Sequence, residues 1–170
     1  MLNKLLLIFL LMFSQTGWAG AGFFDQHLGD FSEELENARD ENKKGILVFF
    51  EMDECPFCHR MKNTVLNQPE VIKYFKKHFL IFPVDIEGSV ELVDFQGKEV
   101  LEKDFAFKQN RVRATPVFAF FDLTGKRVAR YTGPTSGVEE FMWLGQFVVN
   151  EEYKKTNFIR YKRARRKKAE

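Results

Sequence analysis

The only two cysteines of this 170-residue chain lie in the segment Cys55-Pro56-Phe57-Cys58. An apolar run precedes them, and residues that can form a helix follow them. The five consecutive apolar residues 46–50, with their β-branched and aromatic bias, predict a strand covered on both faces. Pro56 suits the first position of a helix, since the N–H that proline lacks would have no partner there. The cysteines are therefore expected at the junction of a central strand and a helix.

Cysteines with this spacing can close a small disulfide, bind a metal or hold a haem. Cys55, Cys58 and His59 together offer three metal ligands in one turn. A structural zinc site needs four ligands, commonly from a second cluster, and the other histidines, His27 and His78, are isolated in the sequence. A metal site is therefore not predicted.

Haem attachment fits the sequence pattern better than a metal does. Cys55-Pro-Phe-Cys58-His59 matches the attachment motif of c-type cytochromes, with His59 as the axial ligand. The buried strand before the motif is unusual for such a site, and Pro56 has no evident role in attaching haem. A c-type haem electron carrier stays open as an alternative at this point.

The N-terminus predicts export. Asn3-Lys4 is a short positive start, Leu5 to Phe13 is an unbroken apolar run, and Gly17-Trp18-Ala19 provides small residues for a signal peptidase. We predict a signal peptide at residues 1–19, with a cut after Ala21 as the near alternative. A retained anchor is disfavoured because the run has nine residues and a spanning helix needs about 20. The predicted location is the periplasm.

Export changes the meaning of the cysteines, because disulfides form and persist outside the cytoplasm. A bridge across two residues encloses too small a loop to restrain the unfolded chain, so a purely structural disulfide is a poor explanation. A thiolate at Cys55, in the first turn of a helix, would be stabilised by unpaired N–H groups and the positive end of the helix dipole. Cys55 would then attack a substrate disulfide, and Cys58 would resolve the mixed disulfide.

The net charge is divided between two regions. Residues 20–152 hold 16 Lys and Arg against 23 Asp and Glu, a net charge of −7, whereas residues 153–170 hold nine basic residues and one acid, a net charge of +8. The basic tail is expected to be solvated or partly helical against the acidic body, or to dock on an anionic membrane surface or an acidic partner. Nucleic acid is the usual partner of such a basic run, but export disfavours it here.

Local patterns predict an α/β fold with a central mixed sheet flanked by helices. The predicted elements are a helix capped by Asp30 and running to about Lys43 with Gly45 as its stop, strand Ile46–Phe50, a helix from about Cys55 to Leu66, helix Glu70–His78, strand Phe79–Asp85, a small hairpin within Glu91–Leu101, helix Glu102–Gln109, strands Val117–Phe121 and Arg127–Tyr131, and helix Val138–Val149.

Two separated motifs carry a family resemblance. The strand ending in Val48-Phe49-Phe50 leads to the cysteine motif, and Val112-Arg113-Ala114-Thr115-Pro116-Val117 precedes a strand and a hairpin. The chain resembles the thioredoxin family, and specifically its exported SoxW-type members, from about Phe31 to Val149. The resemblance implies a thioredoxin-like domain over residues 20–152, with the small hairpin as an addition before the region of a cis proline.

The resemblance also implies site residues and partners. Pro116 would be cis and face the cysteines, Thr115 would offer its backbone to an extended substrate segment, and Pro56 and Phe57 would contact that substrate. The redox-active Cys55–Cys58 pair would need no further cofactor. A membrane thiol-transfer protein would supply its electrons.

The sequence departs from the patterns of the family at two positions. Phe49 replaces a buried acid that accepts a proton from the resolving thiol, and Glu51 either substitutes for that acid or is a solvated strand-end carboxylate. Phe57 stands where the strong oxidants of the family have histidine, and it adds no positive charge to hold a thiolate. The expected redox potential is therefore nearer thioredoxin's roughly −270 mV than the roughly −120 mV of the strong oxidants.

Together these observations predict an exported thiol:disulfide oxidoreductase that reduces disulfides of other exported proteins. The alternatives are the haem carrier, a disulfide oxidase or isomerase, and a non-catalytic binding domain that keeps the fold.

Overall fold

The computed structural model describes residues 22–26 and 28–169. The predicted signal peptide and His27 lie outside the described residues. No helix in the described ranges is both long and apolar enough to cross a membrane. The elements in chain order are α1 (Phe31–Asp40), β1 (Gly45–Glu51), α2 (Pro56–Met61), α3 (Pro69–His78), β2 (Phe79–Asp85), β3 (Glu91–Val93), β4 (Glu99–Leu101), α4 (Glu102–Asp104), β5 (Val117–Phe121), β6 (Arg127–Thr132), α5 (Val138–Val149) and α6 (Phe158–Ala169).

The main sheet has the strand order β2-β1-β5-β6. Strand β1 pairs in parallel with β2 and antiparallel with β5, which in turn pairs antiparallel with β6. Strands β3 and β4 form a separate two-stranded hairpin, located before Pro116 in the chain. The predicted mixed sheet and the predicted small hairpin are both confirmed.

Strand β1 divides the interior into two apolar layers, because successive side chains of a strand point to opposite faces. Leu47 and Phe49 pack with helices α2, α3, α5 and α6. Ile46, Val48 and Phe50 pack with α1, the hairpin and the segment around α4. All five side chains are fully buried, and burying each contributes about 1.5–3 kcal/mol. The prediction of a strand covered on both faces is confirmed.

The first helix begins where predicted and ends earlier. Asp30 accepts hydrogen bonds from the N–H groups of Ser32 (2.8 Å) and Glu33 (3.0 Å), which caps the helix. Its end was predicted wrongly. Asn42 adopts a left-handed conformation (φ 54°), and the Lys43 N–H bonds back to the Ala38 carbonyl at 2.8 Å, closing the helix in a Schellman motif.

Gly45 has a different role from the predicted one of helix stop, since it is the first residue of β1. A Cβ atom at this position would lie 2.0 Å from the carbonyl oxygen of Phe121. Only glycine therefore allows β1 to approach β5 this closely at its start.

Two of the predicted helices continue as π turns. Helix α2 continues over Lys62–Leu66, and α4 continues over Phe105–Gln109. In the π turn after α2, the Thr64 hydroxyl donates to the Arg60 carbonyl (2.8 Å), and the Asn67 side-chain amide donates to the Asn63 carbonyl (2.7 Å). Side chains thus satisfy backbone carbonyls there, as polar residues often do inside helices.

The basic tail is folded against the domain. After a short 3-10 turn at Glu152–Lys154, helix α6 packs on α5. The Phe158 ring is buried, with its centroid 5.5 Å from those of Phe147 and Tyr131. The structure thus shows the alternative in which the basic tail is partly helical and folds against the acidic body.

A buried carboxylate joins this tail to the domain. Glu140 is only 3% exposed and accepts hydrogen bonds from Lys162 (2.7 Å), Ser136 (2.6 Å) and Tyr131 (2.9 Å), with Arg166 at 3.3 Å. Burial alone would raise the pKa of Glu140, but these hydrogen bonds and the Lys162 charge outweigh it and lower the pKa to about 2. Burial and the bond to Glu140 raise the pKa of Tyr131 to about 12.

Glu140 should make stability depend on acid pH. Its folded-state pKa lies below its usual value of 4.5, so its contribution is present above pH 4.5 and is lost as the pH falls toward 2. Glu140→Gln should lower the free energy of unfolding at pH 7 by up to about 3 kcal/mol and flatten its dependence on pH in that window. Urea unfolding between pH 2 and 7 measures both effects. The exposed neighbour variant Glu139→Gln is the control, and curves for Glu140→Gln and wild type that stay parallel would contradict the assignment.

Candidate active site

Cys55 and Cys58 lie where β1 gives way to helix α2. Cys55 has an extended backbone and caps α2, and Pro56 is the first helical residue, as predicted. The two sulfurs form a disulfide with an S–S distance of 2.04 Å. Cys58 is fully buried, whereas Cys55 is 3% exposed. Cys55 is therefore the more exposed of the two cysteines.

Two hydrogen-bond donors converge on the Cys55 sulfur. The Cys58 N–H lies 3.0 Å from it, and the Thr115 hydroxyl lies 3.2 Å from it. A donor aimed at a sulfur stabilises the sulfur more strongly when it carries negative charge. After reduction of the disulfide, these donors favour a thiolate at Cys55.

The sheet brings Thr115 to the cysteines from 60 residues later in the chain. The Thr115–Pro116 peptide bond is cis, as the resemblance implied. Val117, the next residue, begins β5 and pairs with Phe50 near the end of β1. The buried Pro116 accepts a hydrogen bond at its carbonyl from the Gly133 N–H (2.8 Å), which ties this segment to the loop after β6.

The surface beside the disulfide carries an exposed aromatic ring. Phe57 is 53% exposed, and the guanidinium carbon of Arg60 lies 5.5 Å from its ring centroid. Arg60 also donates to the Thr135 carbonyl at 3.4 Å, and the buried Thr135 hydroxyl lies 3.7 Å from the sulfur of Met61. Sequence reasoning missed Arg60, although its spacing of three residues from Phe57 on a helix could have indicated the contact.

A second pair of the same kind lies in the segment before the cis proline. Phe107 is half exposed, and the guanidinium carbon of Arg113 lies 5.2 Å from its ring centroid. Arg113 is two residues before Thr115. Sequence reasoning missed this pair, because six residues separate its members and no regular helix spans them.

Glu51 is paired with a lysine. Its carboxylate forms an ion pair with the ammonium group of Lys62, and it is partly buried. The Lys62 ammonium also lies 5.8 Å from the ring centroid of Phe24 and 6.0 Å from that of Phe49. Glu51 is therefore not a freely solvated strand-end carboxylate. Within the described residues it makes no direct hydrogen bond to either cysteine sulfur.

The site residues do not fit a c-type haem. Both sulfurs are bonded to each other, and Cys58 is packed in the apolar layer with Met61 and Phe118. A thioether bond from Cys58 to a porphyrin would require this part of the core to open. His59, the expected axial ligand, is exposed. Across residues 22–26 and 28–169, no three His, Cys, Asp or Glu side chains are grouped so that they could hold a metal ion.

Comparisons with known proteins agree on one fold. Residues 31–148 match the thioredoxin-like domain family. The disulfide bond reductase DsbH of Chlamydia pneumoniae is 28% identical over 101 residues, which cover 59% of this chain and 58% of the relative, so the match spans less than two thirds of that protein.

Two solved structures are similar over longer ranges. A thioredoxin-fold protein from Helicobacter pylori has a TM-score of 0.57 and 26% identity, covering 68% of this chain and 75% of its own. A DsbH oxidoreductase has a TM-score of 0.59 and 21% identity, covering 81% of this chain and 92% of its own. These likenesses agree with the fold described above.

The Thr115 hydroxyl should control the reactivity of Cys55. In the reduced protein, Thr115→Val should slow alkylation of Cys55 by iodoacetamide at pH 7 by roughly three- to tenfold, because a hydrogen bond to a charged acceptor is worth on the order of 1 kcal/mol or more. Thr115→Ser keeps the hydroxyl and should react like the wild type. Equal rates for the valine and serine variants would show that the hydroxyl has no such role.

Proposed function

Because the chain belongs to the thioredoxin-like domain family, a family of thiol:disulfide oxidoreductases, we propose that it is an exported reductase of disulfides in other exported proteins. The observation that carries the proposal is the Cys55 sulfur, which accepts two hydrogen bonds at the start of α2 beside the cis Pro116. These donors favour the thiolate, which is the nucleophilic form of Cys55 that attacks a disulfide.

The reaction has two exchange steps. The Cys55 thiolate attacks one sulfur of a client disulfide, a new S–S bond forms, and the second client sulfur leaves as a thiolate that takes up a proton. The Cys58 thiol then loses its proton and attacks the Cys55 sulfur, which breaks the mixed disulfide and releases the first client sulfur as a thiolate that also takes up a proton. The client gains two electrons and two protons, and the Cys55–Cys58 disulfide is left in the protein. A membrane thiol-transfer protein is proposed to return it to the dithiol.

The client is proposed to bind as an extended segment across the cis-proline loop. Thr115 precedes the first paired residue of β5, so its peptide group lies outside the pairing of the sheet. It is thus placed to pair with an added strand, which is a common mode of peptide recognition. The exposed Phe57 ring, with Arg60 over it, offers apolar contact next to the exposed Pro56.

The direction of electron flow is proposed from the residues around the cysteines. Phe57 adds no positive charge next to Cys55, so it does not stabilise the reduced form as the histidine of the strong oxidants does. The similarity to a protein named a disulfide bond reductase supports the same direction. The narrower resemblance to SoxW-type members stays a prediction, and oxidase and isomerase activities are the remaining alternatives.

Glu51 is proposed to accept the proton of Cys58. It follows Phe49 by two positions on β1, so it lies on the α2 side of the sheet. Its partner Lys62 lies one turn beyond Cys58, and their ion pair holds the carboxylate in this region. An intervening water would be needed to connect the carboxylate to the thiol.

The reductase proposal predicts activity and redox potential together. The protein should reduce insulin disulfides with dithiothreitol as electron source, and Cys55→Ser should abolish this activity because the attacking sulfur is lost. Equilibration with glutathione should give a potential nearer about −270 mV than −120 mV. A value above about −150 mV would contradict the reductase assignment. Cys58→Ser should accumulate the mixed disulfide, and its attached protein identifies the client.

The role of Glu51 predicts a slow second step. Glu51→Gln should lower the rate of client release from the mixed disulfide by about tenfold or more near neutral pH, because a positioned base is lost. The rate should recover as the pH rises and the Cys58 thiol ionises without help. Stopped-flow single-turnover kinetics measure this step. The exposed Glu54→Gln variant is the control, and equal release rates in the two variants would exclude Glu51 from proton transfer.

A further inference from the structure

Helix α6 has an inward side and an outward side of different chemistry. The inward side packs on α5 through Phe158 and Tyr161, whose rings contact Phe147. The outward side carries Arg160, Arg163 and Lys167, which are all exposed, together with Ile159, which is 59% exposed. We call these four residues the basic face. With 100° between successive helical residues, they share one side of the helix.

The cations of the inward side and of the helix edge already have partners. Lys162 and Arg166 contact the carboxylate of Glu140, and Arg165 donates to the Gln146 side-chain oxygen. The cations of the basic face differ, because Arg160, Arg163 and Lys167 form no ion pair with any described residue. Among the side chains that the structure describes, three charges and one large apolar group therefore remain on a helix that is held by its opposite side.

The charge of the rest of the protein favours one orientation of the molecule at a charged surface. Residues 20–152 carry a net charge of −7, so an anionic surface repels most of the molecule and attracts only the region of α6. At physiological salt, charges act over about 8 Å. The protein would therefore approach an anionic surface with its basic face turned toward that surface.

We propose that the basic face binds the anionic phospholipid surface of a membrane. Its cations are long side chains on a convex helix, which suits a fluid layer of phosphate groups better than a partner with fixed acidic positions. Ile159 lies among them and can enter the boundary between headgroups and acyl chains. An acidic protein could satisfy the three charges, but it would leave Ile159 without a defined role.

Helix α6 is connected to the cysteine-bearing helix α2 through the loop after β6. Glu140, which holds α6, also accepts a hydrogen bond from Ser136. The adjacent residue Thr135 accepts a hydrogen bond from Arg60 of the cysteine-bearing helix. The docked helix and the active-site helix are thus joined through a single loop.

Vesicle binding tests the proposal directly. The chain of residues 20–170, without the predicted signal peptide, should sediment with vesicles of 30% phosphatidylglycerol and 70% phosphatidylcholine and not with pure phosphatidylcholine. The triple variant Arg160→Gln, Arg163→Gln and Lys167→Gln should bind the anionic vesicles at least about tenfold more weakly, since each surface cation contributes to binding. Sodium chloride at about 0.5 M should release the wild type, because screening shortens the range of the charges.

The matched control removes three charges elsewhere. Lys98, Lys103 and Lys108 are exposed residues near the hairpin and α4, and changing all three to glutamine should leave vesicle binding unchanged. Unchanged insulin reduction by both triple variants shows that they are folded. These point variants are preferable to deletion of residues 153–170, which would remove Phe158 from the core. Equal weakening by both triple variants, or binding to poly-glutamate without binding to anionic vesicles, would overturn the proposal.

Discussion

The pairing of strands β1 and β5 determines where the chemistry of this protein takes place. In this register Phe50 lies opposite Val117, so the residue after the cis proline meets the end of the strand that leads to the cysteines. The close approach at Gly45 and the burial of β1 on both faces hold that register. A shift by one residue would turn Leu47 and Phe49 toward the wrong layer, and it would move Thr115 away from the Cys55 sulfur.

Around this pairing, the groups that contact the Cys55 sulfur carry no charge. The donors to the Cys55 sulfur are a backbone N–H and a hydroxyl, both neutral. Glu51, the last residue of β1, forms an ion pair with Lys62. Phe49 stands at the position where thioredoxin has its buried acid. The arginine over Phe57 points its charge toward the Thr135 carbonyl. An apolar, weakly charged site is consistent with a cysteine pair that is not a strong oxidant.

Local sequence signals predicted most elements, because caps, prolines and alternating patterns act over a few residues. Asp30, Pro56 and the apolar run of β1 are such signals, and the mixed sheet follows from the order of the elements. The predicted end of α1 was wrong because both glycine and asparagine can be the left-handed residue that ends a helix. The prediction took Gly45 for this residue, whereas the structure uses Asn42. The nearness of Thr115 to Cys55 came from family resemblance, since no spacing rule connects positions 60 residues apart.

The sequence could not predict which acidic and basic residues form ion pairs, because the partners are selected by packing. The net charges indicated that the basic tail and the acidic body could attract each other, but the body holds 23 acids. Only packing selects Glu140, because Phe158 and Tyr161 first place α6 on α5 and thereby bring Lys162 to a buried carboxylate. The same holds for Glu51 and Lys62, whose contact depends on the path of the π turn after α2.

The burial of Phe158 has a consequence for how the chain acquires its shape. This ring belongs to the same apolar layer as Cys58 and Phe141, yet it is carried by α6, which follows α5 in the chain. A nascent chain that has not reached α6 leaves the outer sides of Phe147 and Tyr131 open to solvent, where they can associate with other chains. Docking of α6 on α5 is therefore part of closing this apolar layer, and a chain whose α6 is detached is expected to be prone to aggregation.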